Sequence, residues 1–180
     1  MSTDPHAVAA PTSGPTTGPR LPAAAERLRL PLYQRNQARM AERWGFDFNT
    51  PDAGPRAEAL VAGAPDDAAR LVLAAAVRSS RGDDAGALAI ARRAVAADAA
   101  SARAHTTLAT LLARNGDVEG ASAHAARAAE LDPQDPVAVF NHGVIAWTVG
   151  DRNAGRADFE RAARLLGVRR PRWWRRLRGA

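Results

Sequence analysis

The sequence predicts an all-α fold made of stacked helix-turn-helix units. Alanine is very frequent and aromatic residues make up only 5% of the chain, which favours helices over strands. A Gly-Asp pair also recurs at positions 82, 116 and 150, a constant step of 34 residues. Other positions repeat on that step, namely Asp67, Ser101 and Asp135; Ala94, Ala128 and Ala162; and Ala91, Ala125 and Phe159. A period of this length is typical of repeat architectures.

Each period contains start and stop signals for two helices. A good N-cap residue, aspartate or serine, is expected to open the first helix. The glycine of the Gly-Asp pair is expected to end that helix in the left-handed conformation, and the aspartate after it to cap the second helix. The second helices are expected to close near Asp98, Asp132 and Leu166.

Small residues mark the packing face of the second helices. Ala121, Ala125 and Ala128 follow the spacing i, i+4, i+7, so they share one face of a helix. Side chains of this size let a neighbouring helix approach closely. Two helices alone bury little apolar surface, so the units are expected to stack on one another.

On these residues the chain resembles the tetratricopeptide repeat family, whose units are 34-residue helix-turn-helix hairpins. The unit at 102–135 shows the pattern most fully, through Leu108, Ala109, Leu112, Gly116, Asp117, Ala121, Ala128, Leu131, Asp132 and Pro133. The unit at 136–169 departs from it at His142, where leucine is usual, and at Gly155, where alanine is usual. The unit at 68–101 lacks the closing proline. The resemblance covers 102 of 180 residues and implies a short right-handed α-solenoid.

The remaining segments flank these three repeats. Residues 1–22, rich in proline, threonine and glycine, are expected to form a disordered leader. Residues 23–67 are expected to hold an N-terminal helix at 32–45, docked on the first clear repeat as a cap. Whether this segment is a degenerate repeat stays open. Residues 170–180 form a basic tail or a C-terminal cap.

The sequence carries no pattern that predicts catalysis. There is no cysteine, and the histidines, His6, His105, His124 and His142, include no pair at the i, i+4 spacing of a helical metal site. The carboxylates lie mostly at turns and helix starts, where capping explains them. We therefore expect a non-enzymatic protein with no catalytic residue, cofactor, metal or small-molecule substrate, in which His142 is a packed, hydrogen-bonded side chain.

The resemblance implies a concave groove, lined by the first helix of each unit, that holds a partner peptide or helix. Carried over by position, the groove residues are Val72, Arg103, Thr106, Thr107, Thr110, Arg114, Val137, Phe140, Asn141, Val144, Trp147 and Thr148. Phe140, Val144 and Trp147 would form an apolar stripe, and Arg103 and Arg114 suit acidic groups. The alternative is that Phe140 and Trp147 pack against the C-terminal segment as ordinary core.

The tail is the second candidate surface. Six arginines fall in the last 12 residues, whereas the rest of the chain has balanced charges. Tryptophan beside arginine suits an anionic membrane surface, a partner, or, less well, nucleic acid. A plain cap on the last repeat is the alternative. The tail residues considered for lipid or partner contact are Arg170, Arg172, Trp173, Trp174, Arg175, Arg176 and Arg178.

Together these features predict a scaffold or adaptor that binds a protein or peptide partner in its groove. A membrane-surface adaptor that docks on anionic lipid through the tail is the alternative. The chain is expected to be cytoplasmic, and peripheral at the inner membrane surface if the tail contacts lipid, because it contains no secretory signal and no apolar run long enough to span a bilayer.

Overall fold

A computed structural model of the chain describes residues 20–168 and folds them into α-helices, with no strand within that range. The all-α prediction is therefore confirmed. The helices are α1 (Ala23–Trp44), α2 (Ala53–Gly63), α3 (Ala68–Ser80), α4 (Asp84–Ala97), α5 (Ala102–Arg114), α6 (Val118–Leu131), α7 (Pro136–Thr148) and α8 (Arg152–Leu165).

The helices α3 to α8 form three hairpins whose starts are the predicted N-caps. Asp67, Ser101 and Asp135 each accept a hydrogen bond from a backbone N–H in the first turn of the helix that follows. The aspartate of each Gly-Asp pair does the same for α4, α6 and α8. Each such cap stabilises a helix by about 1 kcal/mol, so the repeated signal fixes where every hairpin helix begins.

The turn inside each hairpin depends on glycine. Gly82, Gly116 and Gly150 adopt φ values of 84°, 84° and 97°. This left-handed region is costly for other residues because their Cβ atom would clash with the backbone. The predicted role of these glycines as helix terminators is thus confirmed.

The alanine face of each second helix is buried against its neighbours. Ala121, Ala125 and Ala128 are at most 1% exposed, as expected from their spacing. In α8 the larger Phe159 takes the place of one such alanine, and its ring lies 5.5 Å from that of Phe140, between centroids. The last hairpin therefore has aromatic side chains at the helix contact where the other hairpins have alanines.

Two glycines let the backbones of α7 and α8 come close to each other in the last hairpin. A Cβ atom placed on Gly155 would lie 2.9 Å from the carbonyl oxygen of Gly143, and one on Gly143 would lie 3.1 Å from the carbonyl oxygen of Gly155. These contacts are with backbone, which does not move as a flexible side chain does. The departure from alanine at Gly155 is thus explained by a close crossing of α7 and α8.

The α1 helix differs from the expected N-terminal cap. It begins at Ala23 rather than near residue 32, and Pro31 lies inside it. Only its second half packs near the first repeat, where Met40 belongs to a buried cluster with Leu73 and Val77 of α3. Its first half packs on the third repeat. A proline inside a helix costs about 3 kcal/mol. The buried residues Leu28 and Leu32 lie on either side of it.

Candidate interaction groove

The first helices of the three hairpins form the inner layer of the solenoid. The α3 helix contacts α5, and α5 contacts α7, whereas α4, α6 and α8 do not approach one another as closely within the described residues. The stack therefore curves toward α3, α5 and α7. Their free surface is the concave face on which the predicted groove residues lie.

The chain's own α1 lies across this face. Its buried residues Leu28 and Leu32 belong to one apolar cluster with Phe140 of α7 and Phe159 of α8. Its second half reaches the first repeat at the other end of the stack. The helix has 22 residues, which corresponds to about 33 Å at 1.5 Å per residue. The concave face is thus bridged from its last repeat to its first.

The apolar stripe predicted for the groove lies under this helix. Phe140 is only 6% exposed, and Val137, Val144 and Trp147 are half-buried against the same cluster. The indole Nε1 of Trp147 donates a hydrogen bond of 3.3 Å to the backbone oxygen of Arg20, just before α1. The segment that covers Phe140 and Trp147 is therefore N-terminal. The alternative interpretation of the sequence placed the C-terminal segment there.

A cavity remains between α1 and α7. Its volume is about 300 Å³ and it opens to solvent. Leu32 and Asn36 of α1 face Phe140 and Val144 of α7 across it. The other lining residues are Arg29, Tyr33, Val137 and Asn141. The covering helix therefore leaves part of the apolar stripe uncovered.

The middle of the concave face is polar and accessible. Asn141 donates a hydrogen bond of 3.2 Å from Nδ2 to the hydroxyl of Thr110, which links α7 to α5. Thr110 and Thr148 are exposed, and Thr106 and Thr107 are half-buried. The hydroxyls of Thr106, Thr110 and Thr148 donate to carbonyl oxygens of their own helices, leaving acceptor capacity toward solvent.

The two arginines predicted to face acidic groups have different surroundings. Arg114 forms an ion pair of 2.8 Å with Asp84 and also donates to the hydroxyl of Ser79, so neighbouring repeats already hold its charge. Arg103 is half-buried, and burial lowers the pKa of its guanidinium, with further lowering by the nearby Arg39. Arg114 is thus already paired, whereas Arg103 lies half-buried beside the positive charge of Arg39.

The charges around Arg103 come from α1 and from the loop between α6 and α7. Arg39 of α1 forms an ion pair of 3.1 Å with the buried Asp135, which also caps α7. The positive charge of Arg43 in α1 also lowers the pKa of Arg103. The guanidinium of Arg43 lies 4.9 Å from the ring centroid of Trp44. Val72, which was also predicted to line the groove, packs in a small apolar cluster of the first hairpins. The groove is therefore apolar at one end and basic near the start of α5.

Sequence spacing did not reveal one histidine pair. His105 and His124 lie 19 positions apart, yet the hairpin of α5 and α6 brings their Nδ1 atoms to 2.8 Å. Nε2 of His105 lies 3.1 Å from the backbone oxygen of Ala99, so it carries the proton, and Nδ1 of His124 then donates to His105. Burial first, and His105 second, lower the pKa of His124. In the sequence, this contact could have been predicted only by pairing the positions at which α5 and α6 face each other.

The third histidine of the hairpins behaves as predicted. Nδ1 of His142 lies 2.6 Å from Oδ2 of Asp158, and this hydrogen bond raises the pKa of the imidazole. The packed, hydrogen-bonded role expected for His142 is confirmed. Among residues 20–168, no cluster of three or more histidine, aspartate or glutamate side chains has metal-site geometry.

Several predictions concern residues beyond the described range. Residues 1–19 of the predicted leader and the tail residues Arg170, Arg172, Trp173, Trp174, Arg175, Arg176 and Arg178 lie outside residues 20–168. Leu21, which was predicted to belong to the disordered leader, is instead buried in one cluster with Phe140 and Phe159. None of the helices within that range combines the length and apolarity needed to cross a bilayer.

Solved structures show which fold this is. MamA matches with 16% identity and a TM-score of 0.54, covering 62% of this chain and 65% of its own. YrrB, described as a TPR protein with an unusual peptide-binding site, matches with 19% identity and a TM-score of 0.54, covering 64% and 60%. TTC0263, a thermophilic TPR protein of Thermus thermophilus, matches with 19% identity and a TM-score of 0.59, covering 80% and 81%.

These likenesses, together with the repeats of 34 residues, show that the chain has the tetratricopeptide repeat fold. The prediction of a solenoid of such repeats is confirmed. The chain spans about two thirds of the length of MamA and less of YrrB. No family model matches the sequence, and no curated protein matches it significantly.

Proposed function

We propose that the chain is a non-enzymatic interaction module that binds a partner peptide or helix on the concave face of its repeats. One observation carries the proposal. The face already holds an amphipathic helix, α1, whose apolar stripe is buried against the last repeat. A surface that accepts one helix by its apolar face is suited to others, because this mode of recognition needs only apolar anchors at helical spacing.

The polar part of the groove supplies the second half of the argument. Thr110 and Asn141 lie on neighbouring inner helices and present hydrogen-bonding groups beside the apolar stripe. Recognition surfaces commonly combine an apolar anchor with a polar rim that fixes orientation. YrrB, which shares the fold, is described as having an unusual peptide-binding site, which supports peptide binding as the function of this chain.

Photocrosslinking tests this proposal in the native cell. A p-benzoylphenylalanine placed at Thr110, exposed on the inner helix α5, is expected to capture a specific protein. The matched control carries it at Ala123, exposed on the outer helix α6. Capture of a distinct protein only from position 110 supports the proposal. Identical products from both positions, or none from position 110, would refute it.

The membrane-surface alternative depends on residues outside the described range, and no observation within that range favours it. Cytoplasmic placement likewise stays a prediction.

A further inference from the structure

The α1 helix fits the surface that it covers only in part. Its inward side chains follow the spacing i, i+4, i+8, with Leu28, Leu32 and Asn36 in order. The first two are buried, but Asn36 is a half-buried amide that borders the cavity beside Phe140 and Val144. An amide makes a poor partner for these apolar side chains, and the cavity stays unfilled. A large apolar side chain at that place would complete the contact.

The rest of the docked half also makes a modest contact. Two of its buried residues, Ala24 and Ala25, offer a single side-chain carbon each, so burial depends mainly on Leu28 and Leu32, together with Leu21 just before the helix. Pro31 lies between Leu28 and Leu32 and has no backbone N–H to donate to the carbonyl four residues earlier. The half of the helix that docks on the last repeat therefore lacks one of its own backbone hydrogen bonds.

We propose that residues 21–36 are an exchangeable occupant of the concave face, and that an amphipathic helix of the partner replaces them. This inference rests on the proposed function. The partner helix would present three large apolar side chains at i, i+4 and i+8, matching the places of Leu28, Leu32 and Asn36. Its third side chain would fill the cavity that α1 leaves open, and that contact is the source of its advantage over α1.

A labelled peptide gives a defined probe of this exchange. The probe is a fluorescein-labelled peptide with the sequence of residues 20–44 and the change Asn36→Leu, titrated into the full-length chain. The variant Leu28→Ala/Leu32→Ala removes the two side chains that hold the first half of α1 in place. Because self-occupancy reduces apparent affinity by the fraction of open molecules, this variant should bind the probe at least about ten-fold more tightly than the wild type.

Leu30→Ala is the matched control. Leu30 lies on the same helix but is 60% exposed, so its truncation should leave probe affinity unchanged. Equal affinity in the wild type and in the double variant would show that α1 does not compete for the surface, and would overturn the inference. So would a gain of the same size in the control variant.

If the double variant does not fold, hydrogen exchange of the wild-type chain tests the inference instead. The amides of residues 23–32 are expected to exchange at least about ten-fold faster than those of α5, because local opening needs less free energy than global unfolding. Exchange of both segments at one common rate would make α1 a permanent part of the fold, against the inference.

Light scattering separates a partner from a second copy of the chain. If α1 docks on a second copy of the chain, the wild type will form a dimer that the double variant loses, and the surface would then serve self-association, against the inference. Failure of the exchange leaves the polar groove at Thr110 and Asn141 as a binding site. The photocrosslinking experiment tests that site independently.

Discussion

At the scale of single residues, charge pairs inside the hairpins set how stability depends on pH. The pair of His142 and Asp158 joins α7 to α8 and is mostly shielded from solvent. Because the hydrogen bond to Asp158 raises the pKa of His142, the folded state holds this proton more tightly than the unfolded state. The pair's stabilisation is therefore complete below the unfolded pKa of about 6.5 and declines as pH rises through the folded pKa.

This sign leads to a testable pH profile. Asp158→Asn should lower the free energy of unfolding most near pH 6, and the difference from the wild type should shrink steadily toward pH 9. Urea titrations at several pH values would measure it. Asp66→Asn, at an exposed loop position, is the control and should show no such trend. A difference that grows with rising pH would mean that the pair does not hold a raised pKa.

At the residue scale the sequence also shows what it can and cannot predict. N-caps and the positive-φ glycines are local signals, so Asp117 and Gly116 could be assigned from their neighbours alone. The contact between His105 and His124 depends on how two helices face one another, which no local signal specifies. The environment of His142 could be predicted in part, because the repeat pattern indicated that its side chain points inward.

At the scale of secondary-structure elements, the distance between paired helices depends on their smallest residues. The predicted second-helix face was confirmed because alanine spacing at i, i+4, i+7 reflects helix geometry directly. The extent of α1 was predicted wrongly, since a proline usually marks a helix boundary and here lies inside the helix. The apolar spacing across Pro31 was the signal that would have shown the longer helix.

The close crossing of α7 and α8 can be tested at Gly155. Gly155→Ala should destabilise the chain by about 1–3 kcal/mol, because the added Cβ would press on the backbone of α7. Thermal unfolding would measure the loss. The control is Gly54→Ala in α2, where the Cβ meets only side-chain atoms at ordinary distances and alanine has the better helix propensity. Gly54→Ala should be neutral or stabilising, and an equal loss in both variants would contradict the close crossing.

At the scale of the whole molecule, α1 connects the two ends of the repeat stack. Repeat solenoids usually gain stability from contacts between neighbouring units only. Here one helix contacts both the last repeat, through Leu28, and the first, through Met40. The repeat period could not predict this long-range contact, because α1 lies outside the repeating pattern. The proposed binding face and the helix that covers it therefore belong to the same chain.

Paramagnetic relaxation in solution tests this arrangement most directly. The chain contains no cysteine, so Arg29→Cys at the edge of the cavity gives a single site for a spin label. We predict strong broadening of the amide signals of α7 and little broadening of those of α4. Equal and weak broadening of both helices would show that α1 does not lie on the last repeat, and would contradict a groove occupied by its own helix.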